Sequence, residues 1–307
     1  MKNERELEAG LFQMPMQDYL TLDALSSHLC HTLLTRSPAH ARYEQAHPTG
    51  ANGAMDLGTI AHQMLLEGSD SMIEIVDAPD WRTKHAREAR ETARQEGKTP
   101  ILADDMAEVR SMVEVARAYL ASSEIAGVLE QGKPEQTLLW EEGGIGKPRR
   151  GGTWCKARPD WLANDFRTMI HFKTTQGRAN PEWFSSRMVD MGYDMAAAFY
   201  TRGVQYVCGV TPSRLLSVFL VQESSAPYAC SLIGLAPSLM ELAVVKVEHA
   251  LQVWGTCLAE WRWPAYPVEI CYTEARPWQI TQMAEKALAW GDYETFERIT
   301  ELTGGRP

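Results

Sequence analysis

Residues 158–175, which read R-P-D-W-L-A-N-D-F-R-T-M-I-H-F-K-T-T, decide the fold. The first six of them end a predicted strand over residues 153–163, and a further strand over residues 168–173 follows after a short turn. Side chains two apart on a strand share a face, so His171 and Lys173 are expected side by side. The pattern predicts that Asp160, on the neighbouring strand, converges on the same point.

These residues offer a carboxylate, a second metal ligand and an ammonium group. Metal-assisted hydrolysis of a phosphodiester uses such a set, because the metal polarises a phosphoryl oxygen and activates water while the lysine offsets developing charge. Each residue also has an ordinary structural interpretation. Asp160 can be a turn residue after Pro159, Lys173 a solvated lysine at a strand end, and His171 a buried histidine with satisfied hydrogen bonds.

The elements around this stretch predict an α/β domain. Strands are expected over residues 135–141, 153–163, 168–173, 214–222 and 228–235, and helices over residues 181–200 and 237–261. A glycine-rich loop over residues 142–152 separates the first two strands. The succession β-β-β-α-β-β-α predicts a mixed sheet flanked by helices.

The N-terminal part of the chain is mainly helical by its apolar spacing. A helical pattern covers residues 26–67, with Ser26 and Ser27 as candidate N-caps, and a strand over 73–76 precedes an amphipathic helix over 104–120. We therefore predict an N-terminal helical region over residues 1–130, packed on an α/β core over 131–263. Residues 264–307 are expected to form a C-terminal arm.

Composition limits the classes of function. Hydrophobic residues make up 45% and charged residues 23% of the 307 residues, which is ordinary for a globular protein. A formal charge of −10 argues against a module that coats nucleic acid, and it leaves room for a local positive groove. The absence of a signal-like start and of an 18-residue apolar run predicts a cytoplasmic protein with no membrane partner. The six dispersed cysteines are expected to be reduced thiols.

Several short motifs occur in an order that resembles a known family. They are L-S-S-H-L and S-P-A-H, D-L-G-T-I-A-H ending at His62, E-Q-T-L-L-W from Glu135, A-R-P-D ending at Asp160, F-K-T-T from Phe172, and G-Y-D-M-A-A-A-F-Y ending at Tyr200. The ordered set, spanning about residues 22–263, resembles the exonuclease VIII (RecE-type) branch of the PD-(D/E)XK nuclease superfamily, related to the lambda exonuclease and RecB nuclease families. The resemblance implies the restriction-endonuclease-like α/β fold.

The resemblance also implies roles for site residues. Lys173, Asp160 and Glu135 would be catalytic, and the metal ligands would be His62, Glu135, Asp160 and His171. Two positions depart from the family pattern, because His171 stands where the family has a second carboxylate and Ala196 where the helix motif has Gln. Mg²⁺ prefers oxygen ligands, so magnesium affinity is expected to fall, with Mn²⁺ as a substitute and cleavage weakened, altered in metal preference or lost.

The implied activity is resection of linear duplex DNA from 5′ to 3′ by a prophage-type recombination exonuclease. A ring-shaped homo-oligomer and a single-strand annealing protein as partner are implied by the resemblance alone. Candidate DNA contacts are Arg149, Arg150, Lys156, Arg158 and Tyr200, and an Arg-rich segment over 81–98 is a second basic cluster that can equally be a solvated helix face. The alternative function is a catalytically silent nuclease-fold protein that binds DNA ends or a partner protein.

Overall fold

The structure is a computed structural model that describes residues 7–48, 57–143 and 152–301. Two compact units divide the chain, one over Met1–Ala265 and the other over Tyr266–Pro307. Within the described residues, no helix has the length and apolar character needed to cross a bilayer. All six cysteines are described, and none of them forms a disulfide.

The described residues form helices and strands in a mixed order. The helices are α1 (Met16–Thr21), α2 (Ser27–Thr35), α3 (Pro38–Ala46), α4 (Leu57–His62), α5 (Lys84–Gln95), α6 (Ala103–Ala121), α7 (Pro181–Asp190), α8 (Tyr193–Cys208), α9 (Pro237–Glu260), α10 (Pro277–Ala289) and α11 (Tyr293–Glu301). The strands are β1 (Gly10–Gln13), β2 (Ile73–Val76), β3 (Thr99–Leu102), β4 (Gly132–Pro134), β5 (Gln136–Glu142), β6 (Thr153–Ala157), β7 (Trp161–Ala163), β8 (Thr168–Thr175), β9 (Leu216–Glu223) and β10 (Cys230–Gly234).

The described strands of the first unit build three sheets. A five-stranded sheet has the order β10-β9-β8-β7-β4, a three-stranded sheet the order β1-β5-β6, and β2 pairs with β3. In the large sheet β8 and β9 run parallel, joined through α7 and α8, whereas the other neighbours are antiparallel. The predicted α/β class with a mixed sheet flanked by helices is therefore confirmed.

The predicted strand over residues 153–163 is wrong in one respect that matters for the site. It is two strands, β6 and β7, which belong to different sheets and are separated by Arg158, Pro159 and Asp160. A proline has no backbone N–H to donate to a neighbouring strand, so it favours a break in the ladder. Asp160 consequently lies where the chain crosses from one sheet to the other.

The preceding pair of strands crosses between the same two sheets. β4 belongs to the large sheet and β5 to the small one, and Glu135 joins them with a φ of 54°. This left-handed conformation is uncommon for a residue with a side chain. The backbone N–H of Glu135 donates to the Asp160 carbonyl oxygen at 3.2 Å, so both crossings are tied together.

Two predicted helical stretches are also divided into separate helices in the structure. The helix predicted over 181–200 is two helices, α7 and α8, because Gly192 between them has a φ of 71°, which glycine adopts readily. The helical pattern over 26–67 forms α2, α3 and α4, the last followed by a π-helical turn over Gln63–Glu67. Ser26, one of the two predicted N-caps, accepts a hydrogen bond from the Leu29 N–H.

The core covers both faces of the large sheet. One cluster joins Leu29 of α2, Met169 of β8, Phe199 of α8 and Trp254 of α9. A second joins Ile60 of α4, Met112 of α6 and the alternate β8 residues Ile170 and Phe172. Because side chains alternate along a strand, His171 and Lys173 share the face of Met169, toward α8.

The second unit is a helical hairpin. It lies in the region predicted as a C-terminal arm and contains two helices, α10 and α11, joined through Gly291, which has a φ of 72°. Ala287 of α10 and Ile299 of α11 are buried.

The contact between α8 and β5 yields a stability prediction. A Cβ added to Gly203 would lie 2.7 Å from the ring of Trp140, which is 1% exposed. Gly to Ala inside a helix normally stabilises by about 1 kcal/mol, whereas overpacking a core costs about 1–3 kcal/mol. We expect Gly203→Ala to lower the free energy of unfolding in urea. The control is Gln205→Ala, at an exposed position of the same helix. A stability of Gly203→Ala equal to or higher than that of wild type would contradict this packing.

Candidate metal centre

Three potential metal ligands from distant parts of the chain meet at the crossing between the sheets. His62, Glu135 and Asp160 each offer a ligand atom, and these atoms lie within 4.8 Å of one another. His62 Nε2 is 3.5 Å from Glu135 Oε1 and 3.6 Å from Asp160 Oδ1. All three side chains are mostly buried. The spacing is that of ligands which could share one cation.

Local structure explains how each ligand reaches this point. His62 ends α4 and is followed directly by the π-helical turn, a local irregularity often found at functional sites. Its ring centroid lies 6.2 Å from that of Phe172 on β8, which keeps the imidazole against the large sheet. Glu135 and Asp160 occupy the two sheet crossings, where the backbone N–H of one donates to the carbonyl of the other.

Protein donors occupy one oxygen of each carboxylate and leave the other directed toward His62. Asp160 Oδ2 accepts from the backbone N–H of Phe172 at 2.7 Å and from Lys173 Nζ at 3.0 Å. Glu135 Oε2 accepts from Arg158 Nε. The arrangement therefore presents Asp160 Oδ1 and Glu135 Oε1, together with an imidazole nitrogen.

The charges of the site are strongly coupled. Burial would raise the pKa of the Asp160 carboxyl, but Lys173 and His62 outweigh it and hold that pKa far below the usual range. Burial opposes the charge of Lys173, yet Asp160 raises the pKa of this lysine above its ordinary value. Burial is the main cause that raises the pKa of Glu135. Near neutral pH, Asp160 is therefore an anion and Lys173 a cation.

The donor set fits a divalent cation. Two carboxylate oxygens supply negative charge and the hard ligands that Mg²⁺ prefers, while an imidazole nitrogen is more readily accepted by Mn²⁺. Burial would lower the pKa of His62, but the nearby Asp160 and Glu135 carboxylates outweigh it and raise that pKa. A proton on His62 and a bound cation would therefore compete, because a histidine ligand must be neutral. Two carboxylates beside an imidazole nitrogen therefore form a donor set that suits a divalent cation.

Comparison with known proteins identifies the family of this chain. Residues 27–275 match the family described as "PDDEXK-like domain of unknown function (DUF3799)". The chain belongs to this family. The PDDEXK-like fold supports a nuclease in general terms, and members of this superfamily generally use divalent metals.

Two of the solved structures that this PDDEXK-like chain resembles differ in how far they support the fold. One, described as "Putative exonuclease" from Eubacterium rectale, superimposes with a TM-score of 0.51 and 10% identity, over 87% of this chain and 96% of that one. Another, the protein SSO0001, gives a TM-score of 0.31 and 11% identity over 79% of this chain and 88% of that one, too little similarity to carry an argument. No curated protein matches the chain.

The structure does not bring the predicted ligand His171 into the group formed by His62, Glu135 and Asp160. Its side chain is 2% exposed, its Nε2 lies 3.0 Å from Ser217 Oγ on β9, and its ring stacks on Phe219 at 4.6 Å between centroids. Burial lowers the pKa of His171 to about 4, so this imidazole is neutral. Because the Ser217 hydroxyl occupies Nε2, His171 behaves as a satisfied buried histidine.

The predicted DNA contacts have different outcomes. Arg149 and Arg150 lie outside the described residues. Lys156 is buried, and its Nζ donates to the carbonyl oxygens of Tyr19, Leu20 and Leu22, so its ammonium group is engaged inside the protein and not presented to a phosphate.

Arg158 and Tyr200 lie at the metal centre and not on an open basic surface. The Arg158 side chain is 9% exposed and pairs with Glu135, so its guanidinium is engaged inside the protein and not presented to a phosphate. Tyr200 is half-buried, with its ring 5.4 Å from that of His171. Its contact with DNA stays a prediction.

In the Arg-rich segment, Lys98 pairs with Glu74 and Glu96, and Lys84 pairs with Glu88. These ion pairs are the kind found on a solvated helix face, the second of the two interpretations of this segment.

Sequence reasoning missed two tyrosines that line the centre. Tyr193 lies with its ring 5.9 Å from Lys173 Nζ, and Tyr19 of α1 lies 5.7 Å from the Arg158 guanidinium. Tyr193 precedes Tyr200 by seven residues, which places both on one helix face, and this spacing could have identified it. Tyr19 has no comparable signal, because its position depends on contacts with residues far along the chain.

Proposed function

We propose that this protein is a metal-dependent DNA exonuclease of the exonuclease VIII (RecE-type) kind, which resects linear duplex DNA from 5′ to 3′. The observation that carries the proposal is the convergence of His62, Glu135 and Asp160 with Lys173 bonded to Asp160. Phosphodiester hydrolysis needs a cation site beside a positive side chain that stabilises developing negative charge.

The chain's own residues would divide the work. Glu135, Asp160 and His62 would hold Mg²⁺ or Mn²⁺, which supplies Lewis acidity and activates water when bound. Lys173 is protonated, so it would orient the attacking water and donate toward a phosphoryl oxygen while remaining anchored on Asp160 Oδ2. Tyr193 and Tyr200 would border the phosphate that is cleaved.

The expected metal preference follows from the ligands that the described residues supply. They provide two carboxylate oxygens and an imidazole, with neutral His171 at the position of a further carboxylate. Losing a charged oxygen ligand affects Mg²⁺ more than Mn²⁺. Faster cleavage in Mn²⁺ than in Mg²⁺ therefore belongs to the proposal.

The partners in the proposal come from the family resemblance. They are linear duplex DNA ends, further copies of this chain in a ring, and a single-strand annealing protein that takes the resected strand in prophage recombination. Arg149, Arg150 and Tyr200 remain the candidate DNA contacts.

A second candidate function rests on His171. A neutral imidazole bonded to Ser217 supplies no charge where a second carboxylate would complete a magnesium site. A protein that binds DNA ends or a partner protein without cleaving would be compatible with this feature.

A digestion assay separates the two candidates. Purified protein is incubated with linear duplex DNA labelled at the 5′ or 3′ end, in Mg²⁺, in Mn²⁺ or with a chelator, with a closed circular duplex as the substrate control. We expect loss of linear DNA from the 5′ end in Mn²⁺, slower loss in Mg²⁺ and none with the chelator. Binding of DNA ends without product in either metal would refute the nuclease and support the silent protein.

A further inference from the structure

Two buried cations at the end of β6 hold the N-terminal segment over residues 10–22. Lys156 Nζ donates to the carbonyl oxygens of Tyr19 at 2.9 Å, Leu20 at 3.4 Å and Leu22 at 2.9 Å. Arg158 Nη1 donates to the Met14 carbonyl oxygen at 2.7 Å. Lys156 of β6 and Arg158, just after that strand, therefore anchor the same segment, but they differ in their other contacts.

Arg158 also binds a candidate metal ligand. Its Nε donates to Glu135 Oε2, and its Nη1 lies 3.4 Å from Thr137 Oγ1. Among the described ion pairs, Lys156 has no carboxylate partner. Arg158 is thus the link between the N-terminal segment and the metal centre.

Glu135 needs such a partner because its position is otherwise unfavourable. Its backbone has the left-handed φ of 54°, and its carboxylate is mostly buried beside the Asp160 anion. Like charges repel more strongly away from water. A planar guanidinium that donates from Nε and Nη1 fixes direction as well as charge, which an ammonium group cannot do.

We infer that Arg158 is a positioning residue that holds the Glu135 carboxylate with Oε1 toward His62 and Asp160. The Met14 carbonyl oxygen accepts from Nη1 of the same guanidinium and so helps to hold it in this orientation. The inference deepens the proposed function, since its catalytic consequence rests on that function, but its effect on metal binding can be measured without DNA.

The test is Mn²⁺ binding to the full-length chain, measured by calorimetry for wild type, Arg158→Lys, Arg158→Met and the matched control Lys156→Met. Lys156→Met removes a buried cation that anchors the same segment without touching a ligand. Residues that orient metal ligands typically contribute about 10- to 100-fold in affinity, so we expect both Arg158 variants to bind Mn²⁺ at least about tenfold more weakly. Lys156→Met should stay within about twofold of wild type, near the effect of a change remote from the ligands.

Circular dichroism and urea unfolding of each variant show whether it folds. If Arg158→Met does not fold, Arg158→Lys, which retains the charge and most of the volume, keeps the test possible. Unchanged Mn²⁺ affinity in a folded Arg158 variant would overturn the inference and leave the proposed function standing. An equal loss in Lys156→Met would also overturn it, because both residues would then act only as anchors. If wild type binds no Mn²⁺, both proposals fail.

A readout with DNA follows from the same logic. If Arg158 acts through the metal ligand, the cleavage rate lost in Arg158→Lys should return as Mn²⁺ approaches saturation. A rate that stays low at saturating Mn²⁺ would overturn positioning as its role.

Discussion

Asp160→Asn is expected to reduce the cleavage of linear duplex DNA in Mn²⁺ by about 10³-fold. The amide oxygen can still accept from the Phe172 N–H, as Asp160 Oδ2 does at 2.7 Å, so the backbone at the sheet crossing is retained. What is lost is the negative charge that faces His62 and anchors Lys173. Removing one preorganised electrostatic group from an active site typically costs about 10²–10³ in rate, and Asp160 serves both the cation and the lysine.

The matched control is Asp165→Asn. Asp165 lies in the turn between β7 and β8, is exposed, and accepts a hydrogen bond from the Arg167 N–H at 2.9 Å. Asp165→Asn removes the same charge five residues along the chain and should change the cleavage rate by no more than about twofold. If folded Asp160→Asn cleaved DNA as fast as Asp165→Asn, Asp160 would have no part in catalysis and the proposed site would be wrong.

The sequence predicted the order of the helices and strands well because that order depends on short-range patterns of apolar and polar residues. The mixed sheet, the helical region before β9 and the long α9 follow from alternation, apolar spacing and Pro237 at a helix start. What local patterns could not predict is that the chain leaves one sheet for another at Glu135 and again at Asp160. That exchange depends on pairing partners far apart in sequence, such as Leu138 with Ala157.

The basic residues show a second limit of sequence reasoning. Lys156 and Arg158 were predicted to bind phosphate because they flank the candidate site, but a charge pattern does not say which acceptors lie in the interior. Lys156 donates to the carbonyl oxygens of Tyr19 and Leu20 in the last turn of α1 and of Leu22 just after it, a place where cationic side chains often bind backbone carbonyls. Burial lowers the pKa of Lys156 to about 8, a consequence of the same interior position.

The candidate ligands could be named from sequence only through the family resemblance. His62 ends a short helix, and nothing in its apolar surroundings distinguishes it from a core histidine until Glu135 and Asp160 are placed beside it. His171 shows the opposite case. Its place in the motif predicted a ligand, whereas the Ser217 hydroxyl on the adjacent strand gives its ring an ordinary partner.

His171→Asp is expected to increase Mg²⁺-dependent cleavage by about 10²-fold, comparable with the effect of one well-placed electrostatic group. The new carboxylate would lie on the Lys173 face of β8 and is too short to occupy the position of the imidazole at Ser217. It would supply the charged oxygen that Mg²⁺ prefers, so the rate in Mg²⁺ should rise more than the rate in Mn²⁺. The measurement is the ratio of the two rates, each taken over a metal titration.

The same substitution should lower the free energy of unfolding, because position 171 is 2% exposed and packs against Phe219 and Tyr200. A buried group with unsatisfied hydrogen bonds costs about 1–3 kcal/mol, and a charge costs more unless a cation or Lys173 compensates it. His171→Asn is the matched control, since it has the same shape without the charge. It should lose similar stability and gain no activity in Mg²⁺. Equal Mg²⁺ rates for His171→Asp, His171→Asn and wild type would show that residue 171 does not complete the ligand set, which would then consist of His62, Glu135, Asp160 and groups from solvent or DNA.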